Sequence, residues 1–377
     1  MVHSIKKVVI LGSTGSIGRQ TLEVIRSLPD HFKVLGLAGG ANVNLLKEQA
    51  GEFRPEYIYC RDCHKESACN SRFIPMEEMA ALPEADVIVV ATPGGAGLQP
   101  VLAAAKAGKV IALANKESLV SAGEIVTGIV RENKAKLLPV DSEHSAIWQC
   151  LSGEVTPPSR IILTASGGPF RSLTKNEIDK VTPEQALKHP SWKMGLKVTI
   201  DSASLMNKGL EIIEARWLFD MHIQNIQVVI HPQSIIHSMV EFADGSLKAQ
   251  LSCPDMRFPI QYALTYPERV VNHTLPRLNW AEVGKLDFEM PDMTRFPCLG
   301  LAISAGEEGK TFPAALCAAD EVAVDLFLKG KISFGQIPEL IAKVLDAHQP
   351  VSKPDIDDIL AADAWARQKV TELAGNF

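Results

Sequence analysis

The chain has 377 residues, 46% of them hydrophobic and 22% charged, with a formal net charge of −6 at pH 7. That length accommodates two or three domains around a large buried core. The acidic balance, without a basic run or interleaved aromatic and basic residues, argues against a nucleic-acid binder, and no apolar stretch approaches the ~20 residues that span a bilayer.

Near the N-terminus, Lys6 and Lys7 precede the apolar run 8–11. The pattern imitates a signal peptide, but the run is too short and lacks a cleavage signature, so the chain is expected to be cytoplasmic. Seven cysteines, an odd number scattered from Cys60 to Cys317, predict reduced thiols rather than a disulfide framework. Cys60, Cys63 and His64 copy a haem-attachment spacing, but no second pair of ligands completes a zinc site, and the segment reads as a surface loop.

Residues 7–11 form a continuous apolar run of the kind found in strands buried on both faces of a parallel sheet. Gly12, Gly15 and Gly18 follow at once, and residues 19–28 read as a helix. Strand, glycine turn and helix are the context of a dinucleotide fingerprint, in which glycines let the backbone approach a pyrophosphate held at the helix N-terminus. A second strand, 33–37, ends in Gly39, Gly40, Ala41 and Asn42. An enzyme selecting NAD often places an acid there for the ribose 2′-hydroxyl. The absence of one favours NADP, although no arginine or lysine stands in the turn either. Strands at 86–91, 109–114 and 136–140 run into Thr92, into Asn115, Lys116 and Glu117, and into Asp141, Ser142 and Glu143. Five polar strand ends predict an α/β, doubly wound, Rossmann-like domain with its ligand beyond the carboxyl ends of the strands.

Asp141 and Glu143 are two residues apart, so an extended backbone turns both carboxylates to one side. Glu211 supplies a third if its segment folds back onto this edge. Two such charges ~4 Å apart repel by about 4 kcal/mol at an effective dielectric near 20. A divalent cation relieves this, and hard oxygen donors select magnesium or manganese over zinc. The alternative is an acid pair that caps the following helix.

Strand 161–165 ends in Ser166 and two glycines. The irregular stretch 166–196, with His189 and Trp192, fits a lid, although Trp192 fits a core position equally well. Residues 197–200 read as a strand leading to Asp201–Glu211, where Ser202 is placed to cap a helix and Asn207 and Glu211 lie one turn apart beside Lys208. Residues 228–242 and 246–251 alternate like antiparallel strands joined at Asp244 and Gly245. The expected division is a nucleotide domain at 1–144, a central α+β catalytic and dimerisation domain at 145–265, a linker at 266–297, and a C-terminal helical bundle at 298–377.

Taken together, the Gly12–Gly18 loop, Ala114–Ser118, Asp141–His144, Ser166–Phe170, His189–Trp192, Asp201–Glu211 and His231–His237 resemble the 1-deoxy-D-xylulose 5-phosphate reductoisomerase family over nearly the whole chain. The resemblance implies an NADPH- and Mg²⁺- or Mn²⁺-dependent homodimer that rearranges a ketose phosphate and reduces the resulting aldehyde. By motif, Asp141, Glu143 and Glu211 would bind the metal. Lys116, Ser142 and Glu143 would meet the substrate's oxygens, with Lys116, Glu143 and Glu211 as the catalytic set. Ser166, His189, Ser202, Asn207 and Lys208 would hold the remainder of the substrate, chiefly its phosphate, under Trp192. Thr14, Gly15, Ser16, Ile17, Gly40, Asn42, Asn115, Glu117 and Gly195 would contact NADPH. Two positions depart from the family pattern: Ala41 stands where a basic or polar residue is common, and Cys253 where a polar one is expected.

Overall fold

The computed structural model describes residues 5–62, 71–188, 192 and 194–375. The chain divides into two compact units. Unit 1 comprises Met1–Ser118, Val126–Ser145 and Asp255–Arg277, and unit 2 comprises Leu119–Ile125, Ala146–Pro254 and Leu278–Phe377.

Unit 1 is built on a seven-stranded, all-parallel sheet. Its strands are β1 (Lys6–Leu11), β2 (Phe32–Gly39), β3 (Tyr57–Cys60), β4 (Arg72–Phe73), β5 (Val87–Val90), β6 (Val110–Leu113) and β7 (Lys136–Pro139), in the order β4-β3-β2-β1-β5-β6-β7. All four residues of β5, and Val8 to Leu11 of β1, are buried, because helices cover both faces of the sheet. The strand order reverses at β1, so a crevice opens beyond the carboxyl ends of β1 and its neighbours, the usual ligand position in open parallel sheets. Sequence reading anticipated five of the seven strands. The two it lacked, β3 and β4, are short strands at one edge, and half-exposed Tyr57 and Tyr59 in β3 obscure the continuous apolar pattern of the centre.

The chain returns to unit 1 after the second sheet. Helix Arg257–Thr265 packs on helix Ser16–Ser27, Lys6 Nζ donates to Leu264 O at 2.9 Å, and Asn272 donates to the Ser27 hydroxyl at 2.8 Å. Residues 266–277 therefore stay with unit 1. Further on, Glu289 exchanges backbone hydrogen bonds with Ile230 in unit 2.

Unit 2 holds a mixed sheet of β8 (Arg160–Ala165), β9 (Ile226–Ile230), β10 (Ile236–Glu241) and β11 (Leu247–Leu251), in the order β11-β10-β8-β9. The hairpin at Asp244 and Gly245 forms as expected, with Gly245 at φ +82° and Ser246 N–H donating to Asp244 Oδ1. The run 228–242 is not one strand, however. His231–Ile235 breaks it, and β8 lies between β9 and β10, parallel to the first and antiparallel to the second. His231 fixes the break: its ring stacks on Phe288, Nδ1 meets Asp287 O at 2.9 Å, and Nε2 accepts the Ile235 N–H.

Residues 197–200 are also corrected, from strand to helix: they lie within Leu196–Ser204. The β-branched Val-Thr-Ile run suggests a strand, but Thr199, Ile200 and Ala203 are buried at helical spacing, and Lys197 pairs with Asp201 one turn on at 2.6 Å. Four longer helices, Pro297–Glu308, Phe312–Leu328, Gln336–Ala347 and Ile356–Ala374, complete the unit. Ile337, Leu340, Ile341 and Val344 form one buried stripe. Helix Met206–Phe219 packs on Pro297–Glu308. Among the described residues no helix is long and apolar enough to cross a membrane.

Candidate active site

In unit 1 the glycine loop leaves β1 through Gly12 at φ +92°, a region closed to most side chains. A Cβ there would lie 2.4 Å from Ala91 O, and one on Gly18 would lie 2.3 Å from Gly12 O, so the tight turn requires both glycines. Exposed Gly15 is the N-cap of helix Ser16–Ser27; no side chain caps that end, and its first turn carries no acid. Backbone N–H groups of Ser16 and Ile17 therefore open a helix N-terminus suited to a pyrophosphate, with Thr14 beside them. Gly40 and Asn42 follow β2, and Asn42 caps helix Val43–Phe53 by accepting the Leu45 N–H at 3.2 Å.

Asn115 has a different part. Its side chain is buried, donating to Thr92 O and Gly94 O at 2.8 Å each and to Glu117 Oε2 at 3.1 Å, while its oxygen caps helix Lys116–Glu132 at Ser118. The amide thus locks the ends of β5 and β6 together.

At the end of β7, Asp141 does not continue the strand. It precedes helix Ser142–Leu151: its carbonyl accepts the Ser145 N–H at 2.8 Å, and its Oδ1 accepts the Glu143 N–H at 3.3 Å. The expectation that an extended backbone aligns Asp141 and Glu143 is therefore corrected. A helix cap orients them, and that part of the alternative reading is realised. Lys116 forms an ion pair with Asp141, His144 Nδ1 lies 3.7 Å from Asp141 Oδ1, and the Ser142 hydroxyl donates to Glu143 at 2.5 Å. Burial alone would raise the Asp141 carboxyl. The Lys116 ammonium and the His144 ring outweigh it and hold the group well below the usual carboxylate range, so it is ionised.

In unit 2, Asp201–Glu211 spans two helices rather than capping one. Ser202 lies in the last turn of Leu196–Ser204, and Leu205, at φ +61°, joins that helix to Met206–Phe219. Asn207 and Lys208 both donate to Glu211, each at 2.5 Å and to different oxygens. Glu211 and Lys208 are buried. Gly168, at φ +66°, packs against the backbone of Ser202 and Ala203, where a Cβ would lie 2.9 Å from Ser202 O. That close approach brings the Ser166 loop to the end of the Ser202 helix, and Ser166 Oγ accepts the Gly168 N–H at 3.2 Å. Trp192 is half-buried, with its ring 6.1 Å from that of His237. Gly195 is exposed and caps helix Leu196–Ser204. His189 lies outside the described residues.

Sequence reading assigned no part to His144 or Glu214, both buried. Glu214 stands three residues after Glu211, a spacing that puts both on one helix face. It also missed the buried network in which Lys197 Nζ donates to Asp201 at 2.6 Å and Asp320 at 2.7 Å. The cysteine reading holds for Cys150, Cys253, Cys298 and Cys317, which form no disulfide. Cys60 is disulfide-bonded, contrary to expectation, and Cys63 and Cys69 lie outside the described residues.

The donors fit the groups that the motifs imply. Asp141, Glu143 and Glu211 offer only carboxylate oxygens, suited to Mg²⁺ or Mn²⁺, and the uncapped helix behind the Gly12 turn suits a dinucleotide. Three family models match: 1-deoxy-D-xylulose 5-phosphate reductoisomerase over residues 8–123, its C-terminal domain over 137–219, and the DXP reductoisomerase C-terminal domain over 251–369. A reductoisomerase of Pelotomaculum thermopropionicum is 54% identical over 96% of this chain and 97% of its own length. The Zymomonas mobilis enzyme in complex with NADPH is 40% identical, covering 99% of this chain and 100% of that one, with a TM-score of 0.91. A DOX-P reductoisomerase bound to NADPH, fosmidomycin and magnesium is 38% identical, covering 98% of each chain, with a TM-score of 0.94.

Proposed function

Because the chain belongs to the 1-deoxy-D-xylulose 5-phosphate reductoisomerase family, we propose a division of its reaction among named side chains. The reaction is the NADPH- and metal-dependent conversion of 1-deoxy-D-xylulose 5-phosphate to 2-C-methyl-D-erythritol 4-phosphate.

Asp141, Glu143 and Glu211 hold the divalent cation. When bound, that cation supplies Lewis acidity to the substrate's carbonyl and hydroxyl oxygens, and NADPH supplies the hydride. Lys116 keeps Asp141 ionised and adds positive charge where the substrate's oxygens gather. Ser142 and Glu143 orient those oxygens. Ser166, His189, Ser202, Asn207 and Lys208 take the phosphate end. That end is remote from the bonds that change, so its binding energy can drive closure of the 166–196 lid, with Trp192 excluding water. Thr14, Gly15, Ser16, Ile17, Gly40, Asn42, Asn115, Glu117 and Gly195 line the NADPH path. The enzyme works as a cytoplasmic homodimer.

The single observation that carries this division is the clamp on Glu211. A carboxylate 1% exposed, held at both oxygens by Asn207 and Lys208, is preorganised as a ligand. The test follows NADPH oxidation with substrate or metal omitted in turn, and the carbon skeleton of the product by NMR. Oxidation is expected only when substrate and Mg²⁺ or Mn²⁺ are both present, with a branched product. Turnover after complete chelation, or a product with an unrearranged skeleton, would overturn the assignment. Light scattering on the purified chain checks the dimer.

A further inference from the structure

We infer that Arg61 is the residue that recognises the ribose 2′-phosphate and makes this chain selective for NADPH over NADH. The inference rests on the reading of NADPH as cofactor and identifies which group reads it.

The two cofactors differ only by that phosphate, and a nucleotide fold that accepts it needs a cation near the end of the second strand. The turn after β2 offers Gly40, Ala41 and Asn42, without a cation and without an acid. The cation comes from the neighbouring strand. β3 runs parallel to β2 with Gly39 opposite Cys60, and Arg61 N–H donates to Gly39 O at 3.2 Å, so the residue that follows β3 is laid against this turn. The guanidinium reaches over it: a Cβ built on Gly40 would lie 3.9 Å from Arg61 Nη2 and 4.0 Å from Cζ. Gly40 has no side chain to fill that space, and Ala41 beside it is small and exposed.

Two further features suit an anion there. Helix Val43–Phe53 begins at the same turn behind the Asn42 cap, with no acid in its first turn, so the positive end of its dipole lies at that turn. Arg61 itself is 67% exposed and held by Asp62, with Nε to Oδ1 at 2.9 Å and Nη2 to Oδ2 at 3.1 Å. Exposed ion pairs hold their geometry weakly. A doubly charged phosphate offers the planar fork a stronger bidentate partner than a single solvated carboxylate.

The test measures binding as well as turnover. Dissociation constants for NADPH and NADH are read by nicotinamide fluorescence on wild type, Arg61→Ala and Arg61→Lys, with adenosine 2′,5′-bisphosphate and 5′-AMP as competitors. Arg61→Ala is expected to weaken NADPH and the bisphosphate by about 10- to 100-fold, the loss of a charge-assisted bidentate contact. It should leave the affinities for NADH and 5′-AMP unchanged, and Arg61→Lys should fall between. Arg61 is exposed, so circular dichroism should show both variants folded. If Arg61→Ala retains the wild-type preference, or weakens both dinucleotides equally, the assignment to Arg61 fails while the cofactor reading stands. A wild type that binds neither dinucleotide overturns both.

Discussion

Two carboxylate–ammonium pairs, one in each unit, are built in opposite ways. Lys208 and Glu211 are three residues apart on one helix, with side chains 5% and 1% exposed. Lys116 and Asp141 are 25 residues apart, on the ends of adjacent strands β6 and β7, with side chains 12% and 16% exposed. Local helical geometry makes the first pair and sheet topology the second. The more secluded pair loses more when one charge is deleted, because the partner left behind has less water to turn to.

The largest effect is expected at Glu211. Glu211→Gln should lower kcat by about 10²–10³-fold, as for loss of a preorganised electrostatic group. It should also lower the melting temperature, since the Lys208 ammonium stays buried without this charge. Adding Lys208→Met should recover stability but not activity. If Glu211→Gln leaves kcat near wild type, Glu211 is not a ligand.

Lys116→Met should cost about 10- to 100-fold in kcat, typical of losing the group that orients a ligand. Its loss of stability should be smaller than that of Glu211→Gln, because Asp141 keeps the His144 contact and some solvent. Urea titration of the two variants side by side decides this. A larger destabilisation from Lys116→Met would break the burial ranking.

The smallest effect is expected at Asp255, a more exposed pair in unit 1, with Arg257 bonded to it at 2.6 and 3.0 Å. Burial would raise the Asp255 carboxyl, but the Arg257 hydrogen bonds win and lower it. A depressed folded pKa adds stability above the unfolded value near 3.9, and that contribution disappears as the pH falls through the folded value. Arg257→Met should therefore flatten the stability-versus-pH curve below about pH 5, by no more than about 1 kcal/mol after solvent screening. An unchanged acid limb would show that the pair contributes nothing.

Legibility in the sequence followed the same division. Asn207, Lys208 and Glu211 were readable as one face of a turn, because helical spacing is written in residue numbers. The glycine loop was readable because strand, turn and helix are contiguous. The strand reading of residues 197–200 came from β-branched residues whose helical burial depends on unit 2. Asn115 was legible as a polar strand end, but not as the bolt between β5 and β6, because Thr92 and Gly94 lie more than twenty residues away. Arg61 was invisible for a related reason. Nothing in the order of the chain says that β3 packs beside β2 and not elsewhere.

The sequence by itself determined the class of domain and the residues that make up each local cluster. Periodicity, glycine placement and side-chain chemistry are properties of neighbouring residues. The tertiary structure decided which distant residues share an environment: Lys116 with Asp141, Gly168 with Ser202, and Arg61 with Gly40. Strand pairing and burial couple residues that chain connectivity leaves independent, and their energies depend on the whole packed unit.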